Sequence, residues 1–418
     1  MIQSPARQGP RTTLGSRFHR LWAASAASNL GDGVWLVAAP LLAATLTRDP
    51  MAIAGLAVAQ RLPWLLFPLI GGALADRVDR RRAMVGVALA RAALVCVLGA
   101  SVVLGAANLP LMYAVFFLVA TGETLFDTSA AALLPAVVPA GQLPKANARL
   151  SSTAMVANQF VGPPLGGALF AASAALPFAF GAGGLVLAAS ALATLRGSFR
   201  ADRGERPPAG DLRAEIAEGV RWLWEHRLLR TLAWSMGLLN LTLVAQVSIM
   251  VLFAEERLGL GPEGYGVLIA AYGIGGALGG MVAERVLGFV GEARYLRLAI
   301  VFEAVVPAAI ALASDGIAVG AALALFGVHA VVWGSVLAAL RQELTPDRLR
   351  GRIASIHGLI EYGGAAPGAL LGGILASAFG LTAPFWLGAV VGVALIPFVW
   401  PIVSDEAVTT ARAEAAAG

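Results

Sequence analysis

Charge in this chain is confined to short clusters, and the gaps between those clusters decide what it can fold into. No Asp, Glu, Lys or Arg occurs between Arg149 and Arg196, from Thr231 to Ala254, from Gly316 to Leu340, or from Tyr362 to Ser404. Each gap exceeds the about 20 apolar residues that cross a bilayer, and the two longest hold a pair of crossings each. A soluble chain carries roughly a quarter charged residues and spreads them through every element. Here the charged share is 13%, against 58% hydrophobic. The fold class this predicts is an all-α polytopic membrane protein.

Breaks at charge clusters and at Pro and Gly predict twelve transmembrane helices, over 21–46, 53–75, 83–106, 109–132, 147–172, 177–195, 231–253, 265–287, 295–313, 316–340, 352–378 and 383–403. With the amino terminus inside, only Arg48 and Arg257 of the 30 Lys and Arg fall outside, while Arg61 and Arg91 lie within spans. That bias predicts a bacterial-type inner membrane protein with both termini cytoplasmic. The sequence pI near 10.0 then reads as a topology signal and not as a nucleic-acid surface. Cys96 is the single cysteine, which excludes an intramolecular disulfide. The first residues are polar and basic and precede a long apolar run, so no removable signal peptide is expected.

The longest polar stretch divides the chain. The expected organisation is a tail over 1–20, a six-helix bundle over 21–195, a linker over 196–230, a second six-helix bundle over 231–403 and a tail over 404–418. In the linker, Leu212, Ile216, Val220 and Leu223 recur at helical spacing among charges, which predicts an amphipathic helix along the inner membrane face. The halves also repeat. Gly72-Ala-Leu-Ala-Asp76-Arg77 recurs as Gly280-Met-Val-Ala-Glu284-Arg285, and Leu165-Gly-Gly-Ala-Leu169 recurs as Leu371-Gly-Gly-Ile-Leu375 at nearly the same offset. Duplicated bundles with a pathway between them are the architecture of secondary transporters.

The stretch Gly72-Ala-Leu-Ala-Asp76-Arg77-Val-Asp79-Arg80-Arg81-Arg82 resembles the G-x-x-x-D-R-x-G-R-R/K signature of the major facilitator superfamily. Phe18-His-Arg20-Leu21-Trp22 with Ser28-Asn29-Leu30-Gly31-Asp32-Gly33, and Leu134-Pro135 with Leu143, Ala146, Asn147 and Ala148, look like the branch containing enterobactin exporters and multidrug and macrolide efflux proteins. The resemblance implies a conformational latch at Gly72, Asp76, Arg77, Arg80 and Arg81. Two departures stand out. Asp79 replaces the usual glycine, and span four carries Gly122-Glu123 and Asp127 in place of the usual arginine. Gly162-Pro163-Pro164-Leu165-Gly166-Gly167 resembles the core of an antiporter motif. Its glycines also fit a kinked helix that simply packs closely.

A charge inside the bilayer is costly and should face a partner or water. The candidates for proton or substrate coupling are Asp32, Arg61, Arg91, Glu123, Asp127 and Glu361, with Asp32 first. Counting along each helix sets Asp32 level with Arg61 and Arg91 level with Glu123. Glu303, on a peripheral span, reads as a structural ion pair. Asn29, Asn158, Gln159, Asn240, Gln246 and His329 are candidates to line a cavity, or to hydrogen-bond between helices. Trp35, Trp64 and Trp333 read as packing. The glycine run from Gly273 to Gly280 lies within a membrane helix and reads as close helix contact, not a nucleotide fingerprint.

Lys145 is the only lysine and lacks a phosphate-binding loop, and the four histidines show no metal-ligand spacing. No cofactor and no enzymatic nucleophile is expected, so transport would use an ion gradient, a proton gradient foremost, or run passively. The expected function is export of amphipathic small molecules such as a drug, antibiotic or siderophore. The alternatives are a lipid or lysolipid mover and a non-transporting membrane sensor or scaffold. Expected partners are the small-molecule substrate and membrane lipids, with no nucleic acid, and the chain is expected to be monomeric.

Overall fold

The computed structural model describes residues 14–67, 79–197, 199 and 212–417, and the described residues contain helix and no strand. Among the described residues, helix falls within each of the twelve expected spans, the second of which is described only to Phe67. The first half holds α1 (Ser16–Leu46), α2 (Pro50–Leu66), α3 (Arg80–Val103), α4 (Leu109–Val137), α5 and α6 (Leu176–Ala193). α5 is a rod of Leu143–Met155, a π turn at Val156–Val161, and Gly162–Ala172. The second half holds α7 (Arg227–Ser248), α8 (Pro262–Val290), α9 (Glu292–Leu312), α10 (Gly316–Leu344), α11 (Arg350–Gly363 continued by Ala365–Phe379) and α12 (Ala383–Val399). A linker helix, Leu212–Glu225, and a tail helix, Asp405–Ala417, lie outside this set.

Without water in the hydrocarbon, backbone groups must be satisfied inside each segment, which restricts an open chain to helices. Polar residues mark their starts. Asp49, Asn108 and Asp315 accept from the amides of Met51, Leu111 and Ala318 at 3.0, 3.0 and 2.8 Å. Several large apolar side chains point outward, among them Phe289, Ile317 and Phe379, at 91%, 87% and 76% exposure. In water such a surface would aggregate, and against lipid it is solvated.

The buried apolar residues form three clusters, and their membership shows how the halves meet. At the end where α1 begins and α12 finishes, one cluster draws only on the first half and another only on the second half, the linker helix and the tail helix. At the far end a single cluster runs through both, joining Val34, Trp35 and Leu56 to Phe253, Leu268 and Phe385. The halves are therefore fused at the far end and keep separate cores at the terminal end.

The glycine run in α8 packs as expected. A Cβ on Gly279 would stand 2.6 Å from the Val328 carbonyl of α10, and Gly275 and Gly327 make the same close crossing. The linker helix packs on the second half, where Glu218 pairs with Arg348 just before α11 and with Arg352 in its first turn.

Candidate functional site

Arg91 of α3 is the centre of a polar group in the middle of the first half. Its side chain is 1% exposed. One terminal nitrogen donates to Asp32 Oδ1 of α1 at 2.6 Å, and the other donates to Ser28 Oγ at 3.2 Å. Ser28 sits one turn before Asp32 on the same helix, so both reach the same guanidinium. Glu123 Oε2 of α4 stands 3.8 Å from the nitrogen that bonds Asp32, and its side chain is 26% exposed. Asp127 follows one turn along α4 and is exposed. Its charge acts on Arg91 from there. Gly122 makes room for this arrangement, because a Cβ there would meet the Arg91 stem at 2.9 Å. Arg91 Nε is buried and has no hydrogen-bond partner among the described residues.

Of the two pairs expected from depth, Arg91 and Glu123 come within ion-pairing distance, and the pairing of Asp32 with Arg61 is corrected. Asp32 turns to Arg91 and not to Arg61, which is exposed on α2. Position along an axis fixes height but not rotation, and α1 turns its Ser28 and Asp32 face toward α3. Glu361 lies in α11, but its side chain is outside the described residues, as are Gly72, Asp76 and Arg77. Arg80 and Arg81 hold carbonyls in their own half, those of Ala132 and Leu195 near the ends of α4 and α6.

The motif at Gly162, Pro163, Gly166 and Gly167 lies on the lines where α5 meets α1 and α8. Gly162 and Gly166 press on the backbone of Gly33 and Val34 in α1, while Gly167 presses on Pro262 of α8. Pro163 lacks an amide hydrogen, and the π turn at Val156–Val161 immediately precedes it, as expected where the regular hydrogen-bond ladder is broken.

Two of the candidates for lining a cavity bind each other, Asn158 of that π turn donating to Asn29 of α1 at 2.9 Å. Gln159 is exposed beside Gly273 of α8, and Asn240 is half-buried in α7. Gln246 and His329 take the hydrogen-bonding position that stood as the alternative to lining a cavity. They are 5% and 6% exposed between helices of the second half. Gln246 donates to the Thr242 carbonyl at 3.1 Å, and His329 meets Glu303 at 3.1 Å. Trp35 packs as expected, buried and donating to the Pro177 carbonyl at 3.2 Å.

Sequence reading missed an ion pair at the far end, where Arg48, between α1 and α2, reaches Glu255 in the π turn Phe253–Arg257 between α7 and α8. The two lie in opposite halves, and no spacing signal connects them.

With this geometry in hand, comparison with known proteins is informative. The family profile described as transmembrane secretion effector matches residues 13–411. An uncharacterized MFS-type transporter of Mycobacterium tuberculosis is 41% identical over 130 residues, 30% of this chain and only 29% of that relative's length. A second relative from the same organism, multidrug efflux pump Tap, is 30% identical over 378 residues, covering 85% of this chain and 86% of the relative. Among solved structures, a single-residue variant of the nucleoside transporter NupG superposes with a TM-score of 0.77 at 11% identity, over 93% of this chain and 100% of that one. At that identity the likeness is one of fold.

Proposed function

Because the chain belongs to the transmembrane secretion effector family of the major facilitator superfamily, we propose that it exports amphipathic small molecules, cationic ones foremost, in exchange for protons. What supports this reading above all is one buried guanidinium, Arg91, within reach of carboxylates on two different helices, Asp32 and Glu123. With Asp127 nearby, the site carries more acidic than basic groups, which suits a proton or an organic cation.

A buried charge stripped of its partner costs several kcal/mol, so Arg91 needs a carboxylate in every state of a cycle. While Asp32 is ionised it holds Arg91 between α1 and α3. A proton on Asp32 removes that attraction and leaves Glu123, 3.8 Å from the same nitrogen, as the next partner. Arg91 would then move against α4, and α1 would be freed to shift. The shared far-end core and the separate terminal-end cores describe a state closed at one face. On the positive-inside bias the closed face is the outer one, with both termini in the cytoplasm. Alternation would open the far end and bring the terminal ends together.

The test uses proteoliposomes, a fluorescent lipophilic cation and an imposed pH gradient. The wild type should move the dye faster with the gradient than without it, and Asp32→Asn should lose that difference. Dye movement that ignores the gradient would remove proton coupling, and a mutant with the full gradient response would remove Asp32 from it.

A further inference from the structure

A second buried titratable group lies in the other half. His329 of α10 is 6% exposed and its partner Glu303 of α9 is 12% exposed, with His329 Nε2 3.1 Å from Glu303 Oε1. On the other side of the ring, His329 Nδ1 is 3.2 Å from the hydroxyl oxygen of Tyr295, and that hydroxyl donates to the His329 carbonyl, also at 3.2 Å. Phe302, Phe326 and Trp333 surround the imidazole, with ring centroids 4.7, 5.8 and 6.0 Å away. Of the other helices packed on α9 and α10, α12 brings Gly392 against the Glu303 backbone and contains no titratable residue. α8 brings Tyr272, which lies within electrostatic range of Glu303.

The ring sits between two oxygens. The Glu303 carboxylate faces Nε2 as an acceptor, and the Tyr295 hydroxyl, 3.2 Å from both Nδ1 and the His329 carbonyl, can donate to either or accept from Nδ1. Neutral imidazole and imidazolium both find partners there, and the charge balance favours the added proton. Neutral His329 beside ionised Glu303 leaves one uncompensated negative charge in an aromatic cage, and a single added proton turns the pair into a neutral imidazolium–carboxylate.

We propose that His329, Glu303 and Tyr295 form a proton-binding site in the second half, separate from the Asp32–Arg91 group. The site takes one proton from water onto the imidazole and returns it to water when it discharges. Glu303 and Tyr295 act as positioning residues that place one hydrogen-bonding oxygen at each ring nitrogen. Nothing in this depends on the export reading, and its test needs no transport substrate.

Trp333 provides the readout, because imidazolium quenches an excited indole at contact range and neutral imidazole does not. The measured quantity is the emission of the wild type minus that of Trp333→Phe, both purified in detergent, from about pH 5 to about pH 9, the range in which histidine changes charge. The difference should rise with pH along a single-proton curve. His329→Gln should flatten it, and Glu303→Gln should move its midpoint by about one pH unit. A flat wild-type curve, a curve that survives His329→Gln, or a midpoint unmoved by Glu303→Gln would each overturn the proposal. Should His329→Gln fail to fold, Tyr295→Phe replaces it and must also move the midpoint, since it takes the hydroxyl from Nδ1 with little change of volume.

Discussion

Gly167 and Gly373 occupy matching places in the two halves. A Cβ on Gly167 of α5 would strike the backbone of Pro262 at the start of α8, and one on Gly373 of α11 would stand 2.7 Å from Ala54 Cβ and 3.0 Å from Met51 Cα at the start of α2. Their neighbours match as well, since Gly166 meets Val34 of α1 and Gly372 meets Ala245 of α7. The repeated Leu-Gly-Gly pairs are thus the two seams along which the far end closes. Gly167→Leu and Gly373→Leu should each oppose that closure by about 1–3 kcal/mol, the usual cost of overpacking. Spin labels across the far end should report a longer distance in both variants. An unchanged distance would show that the seam tolerates a side chain.

Arg48 and Glu255 close the same end by charge, and here the magnitude should be small. Their side chains are 59% and 21% exposed, and exposed pairs contribute only about 0–1 kcal/mol. Arg48→Ala should lengthen the spin-label distance less than Gly167→Leu does, and the exchange Arg48→Glu with Glu255→Arg should restore it. If Arg48→Ala opened the end more than Gly167→Leu, closure would rest on electrostatics and the packing argument would fail.

Asp32 and Arg91 should be strongly coupled in stability. Removing Arg91 leaves Asp32 without its counter-ion, at about 3–5 kcal/mol, and removing Asp32 costs less because Glu123 stays 3.8 Å from the guanidinium; both should lower the thermal midpoint of the purified protein. The double variant Asp32→Asn with Arg91→Met should recover most of that loss, because no unpaired charge remains between α1 and α3. It should still fail to respond to a pH gradient. A double variant that regained the gradient response would place the coupling group elsewhere.

How far all this could be read in advance differs by feature. The helices were legible because a run without charge longer than a bilayer leaves few alternatives, and the paired Leu-Gly-Gly sequences showed the repeat. The residues around Arg91 were also legible as types, since Asp32, Arg91 and Glu123 are conspicuous in apolar surroundings. The partner of Asp32 was not, because height along a helix says nothing of its rotation, and α1 presents Asp32 to α3. The Ser28 contact was recoverable in principle from its one-turn spacing to Asp32. Arg48–Glu255 and His329–Glu303 were not, since each joins helices whose adjacency only the fold decides.

Asp79 shows what the departure from glycine in the inner-loop signature accomplishes. Its Oδ1 accepts from the Arg82 amide at 3.0 Å and so caps α3, while its Oδ2 accepts from the Phe199 amide at 3.0 Å beyond the end of α6. The side chain is 8% exposed. Asp79→Ala should therefore cost about 1 kcal/mol for the lost cap and about 1–3 kcal/mol more for the stranded Phe199 amide. The pH dependence follows from the same contacts. Burial opposes ionisation, but the Phe199 and Arg82 amides and the charges of Arg81 and Arg82 outweigh it and hold the carboxyl below its ordinary value of 3.8. A carboxyl lowered on folding stabilises fully above its unfolded value, and the contribution fades as pH falls through the lowered one. Thermal midpoints of wild type and Asp79→Asn should accordingly differ most at neutral pH and converge in strong acid. Asparagine has only one acceptor oxygen for the two amides, so equal midpoints at neutral pH would mean that the Phe199 contact adds nothing.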